Sequence, residues 1–96
     1  MPDFIYENFE WDANKDAINK AKHGIGFEDA IEIFSAKIFE TSLPYKTIYG
    51  IEERILVVGK LGGVFITVIY TIRGSRKRII SARRSRKQEV ISYEND

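Results

Sequence analysis

The sequence contains no cysteine, one histidine (His23), one tryptophan and two prolines in 96 residues. Without cysteine there is no disulfide, no thiolate nucleophile and no thiolate metal site. A single histidine cannot build a histidine metal cluster, so no metal or other cofactor is expected. No apolar run approaches the roughly 18 residues that span a bilayer. The opening Met1-Pro2-Asp3-Phe4 lacks the basic-then-apolar order of a secretory leader. A cytoplasmic protein without membrane contact is therefore expected. Low-complexity segments, internal repeats and linkers are also missing, and the length suits one domain spanning 1–96. The apolar fraction of 44% and charged fraction of 30% are those of a globular chain.

The net charge of +1 hides a strong asymmetry. Residues 1–53 carry eleven acids against five lysines, whereas residues 54–96 carry ten basic residues against three acids. Residues 73–87 hold eight basic side chains and no acid. A local field of that sign attracts polyanions whatever the total charge.

The order of elements reads β–α–α–β–β–β–β–α. A first strand is expected within Phe4–Trp11. Asp12 offers an N-cap to a helix over 13–22, with an apolar stripe of Ala17, Ile18 and Ala21 and a stop at Gly24. Phe27, Ala30, Ile31 and Phe34 have the spacing of one helical face, which predicts a second helix over 27–34. A strand over 37–43 is closed by Pro44, and 45–51 reads as a loop. Strands follow at 54–60, 64–72 and 76–83, separated by the turns Gly62-Gly63 and Arg73-Gly74-Ser75. Residues 64–72, apolar on both faces, suit a central strand. Ser85 with Gln88 suggests a capping box that opens a C-terminal helix. The expected fold is α+β, an antiparallel meander with helices packed on one face.

Strict alternation along the last strand places Arg76, Arg78, Ile80 and Ala82 on one face and Lys77, Ile79, Ser81 and Arg83 on the other. Each face then mixes core residues with cations held at fixed positions. Arginine also suits forked contacts with phosphate. In a 64–72/76–83 hairpin, Tyr70 and Arg73 come within reach of Arg78, an aromatic ring beside guanidiniums as in single-stranded RNA binding. A core role for Tyr70, which alternates with Val64, Ile66 and Val68, competes with that reading. Arg86 and Lys87 extend the basic run toward the last helix.

Cleavage of RNA without a metal requires a base for the 2′-hydroxyl, cations for the growing phosphorane charge and an acid for the leaving 5′-oxygen. Arg54, Arg73, Arg78 and Arg83 are candidates for the charge; His23, Glu53 or a lysine are candidates for proton transfer. Arg54, Arg78 and Arg83 are expected to converge on one phosphate. His23 at a helix C-terminus can also be a partner of the helix dipole, and Glu53 can simply pair with a cation. No glycine-rich phosphate loop precedes a helix, and no carboxylate cluster has two-metal spacing.

An ordered set of short strings resembles the BrnT toxins. It comprises Phe9-Glu10-Trp11-Asp12, Asn14-Lys15, Lys22-His23-Gly24, Phe27-Glu28-Asp29-Ala30 with Phe34, Glu52-Glu53-Arg54, Val68-Ile69-Tyr70-Thr71 with Arg73-Gly74, Arg78 to Arg83, and Glu89 with Tyr93. The resemblance covers about residues 9–93. It implies a RelE-like sheet with two N-terminal helices packed on one face and a C-terminal helix. It also implies a ribonuclease that halts growth and a BrnA-type antitoxin partner. Operator DNA would be met only through the antitoxin complex. On family motif positions, Lys22, His23, Arg54, Arg78 and Arg83 are the expected catalytic set. Tyr70 belongs with Arg73, Arg76, Lys77, Arg86 and Lys87 in the expected RNA-binding set. Gly26 departs from the pattern, standing where serine or threonine would cap the second helix, as does the loop near Thr47–Ile51. Two other functions fit the same basic surface: a nucleic-acid-binding module without turnover, and a module that meets an acidic protein partner.

Overall fold

The computed structural model describes residues 3–96, and among them six strands form one sheet in the order β1-β2-β6-β5-β4-β3. The strands are β1 (Asp3–Tyr6), β2 (Phe9–Asp12), β3 (Phe39–Thr47), β4 (Gly50–Leu61), β5 (Val64–Arg73) and β6 (Arg76–Arg84). The helices are α1 (Ala13–His23), α2 (Phe27–Ala30), which continues as a 3₁₀ turn over Ile31–Ser35, and α3 (Lys87–Glu94). The class is α+β. β3 to β6 form the antiparallel meander, and β5 lies inside the sheet between β4 and β6 as its two-sided apolar pattern suggests. Among the described residues no helix is long and apolar enough to cross a membrane.

Several expectations are corrected. The aromatic opening forms two strands, with Glu7 turning the chain at a left-handed φ of 55°. β2 then pairs parallel to β6, through Phe9 with Lys77 and Glu10 with Arg78, so the sheet is mixed. Pro44 does not close β3. The β3–β4 ladder continues through the Pro44–Glu53 pair to Thr47–Gly50, and what reads as a loop is a hairpin turning at Ile48 and Tyr49. Proline is tolerated because β3 is an edge strand, where a residue can direct its nitrogen away from the ladder. The second helix is shorter than its apolar period suggests, since the chain tightens into a 3₁₀ turn after Ala30.

The core follows from strand alternation. Ile66, Val68 and Tyr70 of β5, Val57 of β4 and Ile79 and Ala82 of β6 are buried with Phe9, Trp11, Phe27, Ala30, Ile31 and Ile33. This is the face that α2 and the 3₁₀ turn cover. Gly59 is essential to that approach: a Cβ there would lie 2.8 Å from the Cβ of Ile33, well inside van der Waals contact. The missing hydroxyl cap at Gly26 is supplied from α1, where Asp16 Oδ1 accepts from the Phe27 N–H at 2.8 Å.

α3 does not join these elements on their face. Tyr93 packs edge-on against Phe65 with centroids 5.3 Å apart, and Glu89 accepts from Thr67 Oγ1 at 2.9 Å. Phe65 and Thr67 point away from Ile66 and Val68, so α3 lies on the opposite face. Its cap also differs from expectation. Glu89 accepts from the Arg86 N–H at 2.8 Å, while the Ser85 hydroxyl is 2.7 Å from Thr67 Oγ1.

α1 is not held by its alanine and isoleucine stripe. Ala17 and Ala21 are exposed and Ile18 is 57% exposed. The buried side chain of α1 is Asn19. Its amide nitrogen donates to Ala82 O (2.8 Å) and Ile25 O (3.0 Å), and its oxygen accepts from Ala82 N–H (3.2 Å). These bonds satisfy β6 where β2 no longer pairs with it. Asn19→Ala is therefore expected to destabilise the fold by about 2–4 kcal/mol, because buried backbone groups lose their partners. At this size that lowers Tm by roughly 10 °C or more. Melting within a degree or two of wild type would show that the amide does not hold the edge.

Candidate nucleic-acid interface

The two faces of β6 are set by one irregularity. Tyr70 pairs with Ile79 but Ile69 pairs with Ser81, so Ile80 is an extra residue without a partner on β5. Such a bulge reverses the alternation beyond it. Lys77, Ile79 and Ala82 therefore share the helix-covered face, and Arg76, Arg78, Ser81 and Arg83 share the other. Strict alternation, which separates Arg78 from Arg83, is corrected by this shift.

The register builds the α3-side face in rows. In the first, Glu10 of β2 neighbours Arg78, Arg78 opposes Thr71, and Arg54 lies one step beyond the Ile55–Tyr70 pair, beside Thr71. Leu43 completes the row on β3. The second row, Ser81, Ile69, Leu56 and Thr41, is uncharged, half-buried in its first three residues and exposed at Thr41. The third, Arg83, Thr67, Val58 and Phe39, runs to the end of the face where α3 sits. Strand spacing places the Arg54 and Arg78 backbones about 10 Å apart, and Arg83 roughly 13 Å farther along β6. The three arginines thus line one patch instead of closing on a single point.

Each of these guanidiniums is held by carboxylate. Arg78 donates to Glu10 Oε2 at 2.6 Å and to Asp3 Oδ1 at 2.9 Å. Arg83 makes a two-pronged contact with Glu89, both bonds at 2.8 Å. Arg54 Nε lies 3.3 Å from Glu52 Oε1, and its guanidinium carbon lies 3.6 Å from the centroid of the Tyr45 ring. The Asp3 bond raises the Arg78 pKa further and lowers that of Asp3 itself. Burial pushes the Glu89 carboxyl up, but bonds from Arg83, the Arg86 N–H and Thr67 outweigh it and bring the pKa to about 2.

Lys22 and His23 approach the same strand from its edge. A cleft of about 200 Å³ is lined by Lys15, Ile18, Asn19, Lys22, His23, Ile80 and Ser81. Ser81 belongs both to this cleft and to the arginine-bearing face, so the two are contiguous. Arg73 and Arg76 pair with each other at the β5–β6 turn, on the same face as Arg78. Arg86 and Lys87 are exposed at the start of α3.

Two members of the expected RNA-binding set lie elsewhere. Tyr70 is 4% exposed, packs against Phe34 at 5.9 Å and donates its hydroxyl to Glu40. Burial, then the Glu40 carboxylate, holds that hydroxyl protonated far above its ordinary range. Its ring is part of the helix-side core. Lys77 is on that side too, 5.7 Å above the Tyr70 ring, and lines a separate cavity of about 610 Å³ with Glu28, Asp29 and Glu32. The aromatic ring beside Arg54 on the arginine-bearing face is Tyr45, which sequence reading assigns to a loop. Its alternation with Leu43, opposite Glu52 and Arg54, was the available signal, concealed by Pro44.

A family model described as "Ribonuclease toxin, BrnT, of type II toxin-antitoxin system" matches residues 11–89. The chain belongs to the BrnT family. Comparison with curated proteins finds no match. The matched span includes Lys22, His23, Arg54, Arg78, Arg83 and Glu89, and so takes in both the cleft and the arginine rows. It begins after Glu10, leaving the β1–β2 carboxylates that hold Arg78 outside.

The Glu89 contacts carry a pH signature. Its folded pKa lies below the unfolded value, so its contribution to stability is complete above about pH 4.5 and is lost as pH falls toward about 2. Glu89→Gln should be less stable than wild type at pH 7, by up to about 2 kcal/mol after allowing for solvent screening. The gap should shrink through that acid window. Chemical denaturation at stepped pH measures it, and a gap constant from pH 7 to pH 2 would contradict the assignment.

Proposed function

We propose that this BrnT-family chain is the toxin of a type II pair and an endoribonuclease that cleaves RNA without a metal ion, arresting growth until a BrnA-type antitoxin covers it. The observation that carries this reading is the junction at Ser81. There a cleft bearing Lys22 and His23 meets the sheet face bearing Arg54, Arg78 and Arg83. The α+β architecture suits a RelE-like scaffold for such a site, and the cytoplasm is where its RNA would be met. Operator DNA is reached only within the antitoxin complex.

The chemistry needs no group beyond side chains. A base removes the proton of the 2′-hydroxyl, whose oxygen forms a bond to the adjacent phosphorus. The bond from phosphorus to the 5′-oxygen breaks, and an acid returns a proton to that oxygen. The products are a 2′,3′-cyclic phosphate and a 5′-hydroxyl. His23 is the candidate for proton transfer, since imidazole both accepts and donates. Lys22 and Arg83, two residues from Ser81 on β6, supply positive charge to the phosphorane, while Arg54 and Arg78 meet phosphates farther along the patch. Prior carboxylate pairing fixes the orientation of Arg78 and Arg83, so less ordering is left for the reaction itself. Arg73, Arg76, Arg86 and Lys87 would hold flanking phosphates.

The same pairing favours a second reading, a module that binds RNA without turnover, because the charge of each arginine is already partly answered. Cleavage measured in excess EDTA separates the two. Activity should persist in EDTA and leave a 2′,3′-cyclic phosphate. His23→Ala, at an exposed position, should lower turnover about 100-fold or more with little change in Tm. Arg83→Lys, which keeps the charge but loses the fork, should lower turnover more than affinity. Cleavage that requires added magnesium would overturn the metal-free mechanism. Full activity of His23→Ala would remove His23 from it, and binding without cleavage would establish the second reading.

A further inference from the structure

We infer that the Tyr45–Arg54 pair is a nucleobase-stacking platform, which takes an unpaired RNA base beside the arginine rows. This rests on the RNA-directed reading above and adds to it the part of the substrate that a phosphate-binding surface leaves unread.

Four observations converge on the pair. Tyr45 and Leu43 lie on β3 opposite Glu52 and Arg54, and so share the face that carries Thr71 and Arg78. The Arg54 guanidinium sits over the Tyr45 ring at 3.6 Å, and Glu52 steadies it at 3.3 Å. Despite that contact Tyr45 is 46% exposed, and Leu43 beside it is also exposed. Finally, Tyr70, the ring that alternation along β5 offers to the arginines, is spent in the core.

A planar cation lying on an aromatic ring extends the flat surface available to a ligand. Bases of single-stranded RNA stack on aromatic rings and on guanidinium planes, with little dependence on sequence because every base has a π-face. The arginine supplies attraction for the adjoining phosphate, and Arg78 continues the positive line across β5. A strand of RNA laid from Tyr45 into this row meets a ring, the Arg54 guanidinium and, past Thr71, the Arg78 guanidinium in turn. Duplex RNA cannot offer an unstacked base, so the platform selects single-stranded segments.

The test separates this platform from the cleavage mechanism by using a single-stranded 2′-O-methyl oligonucleotide, which lacks the attacking hydroxyl and cannot be cut by the proposed route. Tyr45→Ala should weaken its binding about tenfold or more. The slope of affinity against salt should stay the same, because no phosphate contact is lost. Tyr45→Phe should bind as wild type, since the ring and not the hydroxyl does the stacking. Tyr49→Ala, at a 93% exposed tyrosine on the tip of the same hairpin, should also bind as wild type. A 2-aminopurine in the oligonucleotide should be quenched by wild type and by Tyr49→Ala but not by Tyr45→Ala. Melting temperatures should be alike, given the exposure of the site. Unchanged affinity and quenching in Tyr45→Ala would overturn the platform, and loss of antitoxin binding alone would reassign the ring to a protein contact. Wild-type binding without cleavage of the matching RNA would defeat the catalytic reading and leave the platform standing.

Discussion

The bonds between the Asn19 amide and the backbone of Ala82 determine how this molecule is assembled. β6 has β2 beside it only at Lys77 and Arg78. At the buried Ala82, beyond that point, the backbone groups would be left without partners, a cost comparable to a lost hydrogen bond for each. Asn19 presents one donor and one acceptor to the same residue, as a neighbouring strand would, and its nitrogen also holds Ile25 O. One side chain thereby fixes α1 against the sheet, sets the path into α2 and completes the edge of β6. The apolar face of α1 is consequently free of a packing duty and stays in solvent.

The bulge at Ile80 lies between the last contact with β2 and the Asn19 contact. It lets a strand of nine residues serve two purposes. Ile79 and Ala82 both reach the core, although they are three apart, and Arg78 and Arg83 both turn to the other face. A regular strand would have sent Arg83 inward with Ile79, or Arg78 inward with Ala82. The insertion of one residue therefore gathers Arg76, Arg78 and Arg83 on one surface and opens the Lys22–His23 cleft beside Ser81.

Ion pairs then fix the direction of the guanidiniums. The acidic first half of the chain is not a separate electrostatic region; Asp3 and Glu10 reach across the sheet to Arg78, and Glu52 reaches Arg54. Glu89 ties α3 to Arg83 and to Thr67 at once. The arginine-bearing surface is thus less positive than a count of its arginines suggests, but better ordered. Order of this kind favours specific geometry at a phosphate over indiscriminate attraction.

Residue identity and short-range chemistry determined the helix cap at Asp12, the stop at Gly24, the Gly62-Gly63 hairpin and the position of β5 inside the sheet, since each depends on neighbours in sequence. The basic character of 73–87 and the motif set carrying the BrnT resemblance were equally local. Tertiary structure decided the rest. Whether Pro44 ends a strand depends on whether that strand lies at an edge, and only the sheet order settles that. Whether Tyr70 or Tyr45 faces the arginines depends on register, with β5 buried by Phe34 on one side and β3 open at the margin. The faces of β6 depend on a bulge, which follows from competing demands of core packing and pairing and leaves no mark in the alternation of residue types. Long-range pairing, not composition, places Glu10 on Arg78 and Glu89 on Arg83, because these contacts exist only once strands and helix distant in sequence have been brought together.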